Sequence, residues 1–220
     1  MPRTEAPRDC ALCPRLVAYR GVLRSACPDW WNAPVPGFGD PAAWLAICGL
    51  APGRKGANRT GRPFTGDDAG QMLYDTLRKL GLAQGEDRQR ADDGLRLDGA
   101  AIVNAVKCVP PRNKPLPAEI AACTNAFFRP ALAALRDARV IVALGRIAHD
   151  AVVRAAGARL SGFRFGHLAE HLLPDGRVLI DSYHCSRYNR NTRRLTPQMF
   201  EAVFARALQL RDDRARRVLA

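Results

Sequence analysis

Ala43-Trp-Leu-Ala-Ile-Cys48 runs directly into Gly49-Leu-Ala-Pro-Gly-Arg-Lys-Gly-Ala-Asn-Arg-Thr-Gly-Arg-Pro-Phe-Thr-Gly-Asp-Asp-Ala-Gly70. The first six residues are apolar and read as a buried strand. The loop that follows is rich in glycine, so its backbone N–H groups are open to a ligand. Gln71–Leu80 then carries a helical period. This order puts the loop at the carboxyl end of a strand, where open α/β sheets bind their ligands.

Four apolar runs are candidate strands: Trp44–Leu50, Ala100–Val106, Arg139–Leu144 and Val178–Tyr183. They are short and partly β-branched, as strands buried on both faces are. Besides Gln71–Leu80, helical patterns cover Ala118–Arg136, Ile147–Ala156 and Pro197–Arg211. Thr196-Pro197 reads as an N-cap followed by proline. Strands alternating with helices predict an α/β fold, with a mostly parallel sheet covered on both faces. Gln84–Asp98 is charged and aperiodic and is expected to be an exposed connection. Residues 1–40 read as an arm with a short helix near Arg15–Leu23.

A chain of 220 residues, 47% of them hydrophobic, fits a single domain over 1–220. Its net charge of +13 favours a polyanionic partner, nucleic acid first and an acidic membrane surface second. No apolar run is long enough to span a bilayer, and the polar N-terminus has no signal-peptide core. The expected compartment is the cytoplasm. Seven cysteines, an odd number, in a chain of this size make a disulfide framework a poor expectation.

Cys10 and Cys13 form a C-x-x-C pair, and Cys108 directly follows a candidate strand, with Cys123 beyond it. Two remote pairs that converge make a tetrathiolate site, which suits Zn²⁺ or an iron–sulfur cluster. The spacing does not separate the two. Cys27 and Cys48 read as small buried hydrophobes.

Other residues have both a site reading and a plainer one. Asn104 ends the second strand; its amide can read the edge of a planar heterocycle or satisfy local backbone. Phe64 is a stacking platform for a base or a loop anchor. Asp67 and Asp68 precede a helix and can cap it, or can orient or deprotonate water. His184, at the end of the fourth strand, opens a polar basic loop and is a stronger site candidate than His149, which sits within a helical pattern. His167 and His171 receive no role. Arg187, Tyr188, Asn189, Arg190, Arg193 and Arg194 place cations around an aromatic, a mixture suited to a loop that enters a duplex and touches phosphates.

Together these blocks resemble the uracil-DNA glycosylase superfamily, specifically family 5, the type B enzymes of bacteria and archaea. The resemblance rests on Gly49-Leu-Ala-Pro-Gly53, Asn58-Arg-Thr-Gly-Arg-Pro-Phe-Thr-Gly-Asp67, Asn104-Ala-Val-Lys-Cys-Val-Pro-Pro111, Ala143-Leu-Gly-Arg-Ile-Ala-His149 and Ser182-Tyr-His-Cys-Ser-Arg187. It implies a three-layer α/β/α sandwich around a four-stranded parallel sheet. It also implies a structural [4Fe–4S] cluster on Cys10, Cys13, Cys108 and Cys123. The implied activity is excision of uracil, hypoxanthine and xanthine from double- or single-stranded DNA by a monomer. Carried over by position, Phe64 stacks on the flipped base, Asn104 bonds its edge and His184 stabilises charge on the leaving base. Asp67 positions or activates water, and Gly49, Leu50, Ala51, Pro52 and Gly53 form the pocket wall. Arg54, Lys55 and Arg59 join Arg187, Tyr188, Asn189 and Arg190 as expected DNA contacts.

This chain departs from the pattern in one place. Type B sequences often carry a His just after the Ala-Pro-Gly turn, where this chain has Arg54-Lys55, so no role of that His transfers. The Arg-rich insertion of relatives that stay covalently attached to DNA is also missing, and covalent capture is not expected. The rival expectation is a non-catalytic sensor of uracil-containing or abasic DNA. A phosphate-binding nucleotide enzyme is disfavoured, because the loop holds no Gly-x-x-x-x-Gly-Lys-Ser/Thr.

Overall fold

A computed structural model describes residues 4–219, with side chains to Asp213; the ends of the expected 1–220 domain lie outside the described residues. In chain order the elements are α1 (Pro14–Ala26), β1 (Phe38–Gly39), β2 (Leu45–Gly49), α2 (Ala57–Thr60), α3 (Asp68–Lys79), β3 (Ala83–Gln84), β4 (Arg96–Leu97) and β5 (Ala100–Asn104). Then come α4 (Pro117–Cys123), α5 (Arg129–Ala134), β6 (Val140–Leu144), α6 (Arg146–Ala155), β7 (Glu170–Leu172), β8 (Val178–Ser182), α7 (Arg187–Asn191) and α8 (Pro197–Leu219).

The main sheet has the order β1-β5-β2-β6-β8-β7. Its four central strands are the four read from the sequence, and they run parallel. The sheet is wider than expected, because β1 and β7 add antiparallel edges. Both edges are two or three residues long, too short for a period to register.

Side chains alternate across the sheet. Leu45, Ile47, Ile102, Val142 and Ile180 face one core with Leu73 and Leu77 of α3 and Phe200 and Phe204 of α8. Ala46, Cys48, Val103, Ile141 and Leu179 face the other, with Leu132 of α5 and Val152 of α6. Each such large apolar side chain contributes about 1.5–3 kcal/mol on burial. The result is an α/β/α sandwich. Its register aligns Gly49 with Asn104 and Leu144 with Ser182, so the loops carrying the candidate residues leave from one edge.

Three expectations are refined or corrected. The Ala118–Arg136 helix is continuous over Pro117–Ala134 but widens into a π-helical turn over Thr124–Phe128 between α4 and α5. Pro130 has no N–H to continue an i→i−4 ladder, and the turn widens around it. Gln84–Asp98 is not a simple exposed connection. It contains the β3–β4 pair, buries Leu95 and Leu97, and sends Asp87 and Asp93 onto Arg62. Cys48 is buried as expected, with its thiol pushed up to about 12 by burial, but Cys27 is only half-buried. No helix among the described residues is long and apolar enough to cross a membrane.

Candidate active site

A cavity of about 400 Å³ opens at the carboxyl edge of β2, β5 and β8. Leu50, Ala51, Pro52 and Gly53 form one wall, with Phe64, Asp67, Asn104 and His184 around the rest. Gly49 lies beneath. A side chain there would collide with Asn104 Oδ1 and come within 2.8 Å of the Phe64 ring. A bare α-carbon is what lets the ring and the carboxamide sit side by side.

Phe64 adopts a left-handed backbone, φ 51°, which an aromatic residue occupies only when its surroundings impose it. They do so here. Tyr74 Oη donates to the Pro63 carbonyl at 2.6 Å, and Arg62 Nε donates to Thr65 Oγ1 at 2.7 Å. Gly70 of α3 packs so tightly on the Phe64 carbonyl that no side chain fits between them. Arg62 is buried under the rings of Phe38 and Tyr74, with Asp87 and Asp93 as its counter-charges.

Asn104 is 3% exposed, and its Oδ1 is buried without a hydrogen-bond partner. An unsatisfied buried acceptor costs about 1–3 kcal/mol, so the amide is held ready for a ligand rather than spent on local backbone. His184 is fixed from two sides. Asn189 Nδ2 donates to its carbonyl at 2.8 Å, and Gly145, φ 98°, leaves room for its Cβ. Its ring centre lies 6.3 Å from that of Phe64, tilted by 31°. Burial lowers the His184 pKa and Asp67 partly opposes it, leaving a neutral imidazole with one N–H to donate at pH 7.

Asp67 caps the helix with one carboxylate oxygen and turns the other toward the cavity wall. Oδ1 caps α3 by accepting from Gly70 N at 3.0 Å. Oδ2 faces Gly53 and Gly56, where a Cβ on Gly53 would come within 2.9 Å of it. Asp68 is instead the ion partner of α7, 2.6 Å from Arg187 Nε.

At the rim, Arg54 and Lys55 are exposed, and Arg59 Nε donates to the Lys55 carbonyl at 2.9 Å. Tyr188 projects with 71% of its surface free. Arg187 lines the cavity mouth, and Arg190 turns back toward Asp68. Asn189 donates one amide N–H to the His184 carbonyl, which ties the expected DNA-contact loop to the site. Ser186 and Asn113 also line the cavity and were not singled out by sequence. Asn113 sits at φ 55° among three prolines, and Asn's tolerance of that region was the available signal.

The family model of the Uracil DNA glycosylase superfamily matches residues 36–208. The chain belongs to this superfamily. A type-5 uracil-DNA glycosylase of Thermus thermophilus is 48% identical over 206 residues, which cover 91% of this chain and 93% of that protein. One from Pyrobaculum aerophilum is 40% identical over 203 residues, 90% and 88% of the two chains. A type-4 uracil-DNA glycosylase of Thermotoga maritima is 33% identical over 179 residues, 80% and 83% of the two. Within the superfamily the chain therefore stands with the type-5 enzymes.

The four cysteines that the superfamily resemblance singled out do converge. Cys10, Cys13, Cys108 and Cys123 surround a gap of about 10 Å³, closed by Leu16 and Phe127. Burial pushes the Cys108 thiol up to about 11 and that of Cys123 to about 12. Arg20 Nη1 donates to Cys108 Sγ at 3.7 Å, and Lys107 N donates to Cys123 Sγ at 3.3 Å. Among the described residues, no three cysteine sulfurs lie within 4.8 Å of one another. Four converging thiols are a donor set that suits either Zn²⁺ or an iron–sulfur cluster.

Proposed function

We propose that this chain is a monofunctional DNA glycosylase that removes uracil, hypoxanthine and xanthine by hydrolysing the N-glycosidic bond, leaving an abasic site. The observation that carries this reading is the unpaired, buried carboxamide oxygen of Asn104 in one cavity with Phe64 and His184. A flipped base is planar, needs an aromatic platform and exposes donors and acceptors along one edge.

In this reading Phe64 stacks on the base and Asn104 pairs with its edge. As the glycosidic bond breaks, negative charge gathers on the base, and the neutral His184 N–H donates to it. Such donors, aimed where charge develops, supply several kcal/mol in water-excluded sites, about 2.7–4 kcal/mol for one. Asp67 Oδ2, left free by the cap, orients the attacking water. The Leu50-Ala51-Pro52 wall offers no alternative base. Extrusion takes a few kcal/mol and least at a mispair, which favours deaminated bases opposite a wrong partner.

The rim cations Arg54, Lys55, Arg59, Arg187 and Arg190 hold the DNA backbone, and Tyr188 enters the duplex beside the vacated position. The protein acts as a monomer on double- or single-stranded DNA. Cys10, Cys13, Cys108 and Cys123 hold a structural [4Fe–4S] cluster that, when bound, cross-links the arm carrying α1 to the core.

The test is incubation of purified protein with U·G, hypoxanthine·T and xanthine-containing duplexes. Free base and alkali-labile abasic DNA are the expected products. Salt-sensitive binding without base release would favour the sensor reading instead. For the cysteine site, protein prepared without oxygen is expected to be brown and to hold about four irons. One zinc per chain and no iron would overturn the cluster.

A further inference from the structure

One buried polar cluster takes no part in the proposed chemistry. His149 of α6, Asp181 of β8 and His171 of β7 meet behind the sheet edge. His149 Nδ1 is 2.7 Å from Asp181 Oδ1, and His171 Nε2 donates to Asp181 Oδ2 at 3.1 Å. Gly166 N also donates to Oδ2, at 3.3 Å. The far nitrogen of His149, Nε2, lies 3.0 Å from the Phe163 carbonyl. His149 and Asp181 are buried, and His171 nearly so.

This geometry fixes a proton. The Phe163 carbonyl can only accept, so Nε2 carries hydrogen. The carboxylate also only accepts, so a proton stands between Nδ1 and Oδ1. Imidazole, the stronger base, keeps it, and the cluster is a buried imidazolium bound to a carboxylate.

Asp181 lies on β8, three residues before His184, which sits just beyond the strand's end. Its backbone N–H donates to Ala169 O at 2.9 Å, and its carbonyl accepts from Leu168 N at 2.8 Å. The segment so held reaches onward, where Tyr183 N donates to His167 Nδ1 at 3.3 Å. Next along β8, Gly145 N donates to the Ser182 carbonyl at 2.8 Å. Every tie therefore converges on the end of the strand from which His184 leaves.

We infer that the His149–Asp181–His171 clamp positions His184 for the reaction by fixing the strand end that delivers it. This rests on the functional reading above. His149 is faced by Asp181 from β8 and His171 from β7, with the Phe165 ring at 5.6 Å. Asp150, its neighbour on α6, adds negative charge, and Arg146 of α6 is engaged over the Phe165 ring. Burial lowers the His149 pKa, but Asp181 and the Phe163 carbonyl more than reverse this, and the net shift is upward. The sign follows: the clamp is intact below the ordinary histidine value and opens as pH rises through the raised one.

The experiment compares wild type with Asp181→Asn in base release from U·G DNA across pH. Asp181→Asn is expected to lower kcat about 10-fold with KM within twofold, and to abolish the alkaline limb of kcat/KM. A folded Asp181→Asn protein with wild-type kcat and an unchanged profile overturns the inference. In case this variant does not fold, ¹⁵N NMR of wild-type histidines is decisive. His149 should be doubly protonated at pH 7 and lose its proton in step with the alkaline limb. A neutral His149 at pH 7, a titration elsewhere, or one zinc bound by wild type and absent from folded His171→Asn overturns it. If wild type releases no base, the functional reading fails, while the NMR result still judges the clamp.

Discussion

His184→Ala is expected to lower kcat for uracil release from U·G duplexes by about 10²–10³-fold, with KM for DNA within a few-fold. The ring's N–H meets charge that exists only as the base departs, so its loss appears in kcat rather than in binding. Burial depresses the His184 pKa. The donor is then neutral imidazole, which the free enzyme converts to imidazolium only below the ordinary histidine range. Wild-type kcat/KM should accordingly stay flat on acidification through the unperturbed value of about 6.5 and change only below it. The acid limb should be missing in His184→Ala. Steady-state kinetics from pH 5 to 9 check both points, those limits being about the range in which histidines titrate. A variant within threefold of wild type at pH 7 would remove His184 from the reaction.

That a single histidine can be ranked in this way follows from how the sheet was read. The apolar runs ending at Gly49, Asn104 and Ser182 were visible because strands buried on both faces have no polar residue to break them. Once these were parallel neighbours, their loops had to meet at one edge. The convergence of Phe64, Asn104 and His184 was thus legible in outline. Gly49 was read as part of a wall, yet it turned out to be the gap between a ring and an amide. That role depends on two side chains 15 and 55 residues away, and no local pattern encodes it.

The omissions and misreadings share a physical cause. Asn189 sits in a run of cations, and composition could not show its hydrogen bond to the His184 carbonyl, a tertiary fact. His171 and Asp181 are on different strands, and their meeting requires the β7–β8 register. Gln84–Asp98 looked solvated because it is charged and aperiodic, yet two of its carboxylates have a buried partner. The partner, Arg62, lies 25 residues before Asp87 and 31 before Asp93. Charge patterns report on neighbours in sequence, while a buried ion pair is made by the fold.

Asp93→Ala is accordingly expected to destabilise the protein by about 3–5 kcal/mol at pH 7, as removing one partner of a buried ion pair does. Arg62 Nη1 and Nη2 grip the Asp93 carboxylate at 2.6 and 2.8 Å, and the two side chains are 3% and 0% exposed. Without it the buried guanidinium keeps only Asp87, at 3.1 Å. Burial pushes the Asp93 carboxyl up, but Arg62 and the N–H groups of Leu95 and Arg88 overcome that and hold it far below the usual range. A depressed folded value stabilises above the unfolded pKa, about 3.9, and the contribution is lost as pH falls toward the folded one. Asp87, whose pKa burial raises, has the opposite sign and takes up its proton first. Wild type should therefore lose stability steeply below about pH 4, where unfolded aspartates protonate, and Asp93→Ala should start lower and fall less. Denaturant unfolding at neutral and acid pH measures both slopes. Activity should suffer as well, because Arg62 holds Thr65, and the Thr65–Pro63 turn holds Phe64 in its left-handed conformation. An Asp93→Ala protein within 1 kcal/mol of wild type, on the order of an exposed pair, would mean that the Arg62 site admits water and that the Phe64 turn is held by Tyr74 alone.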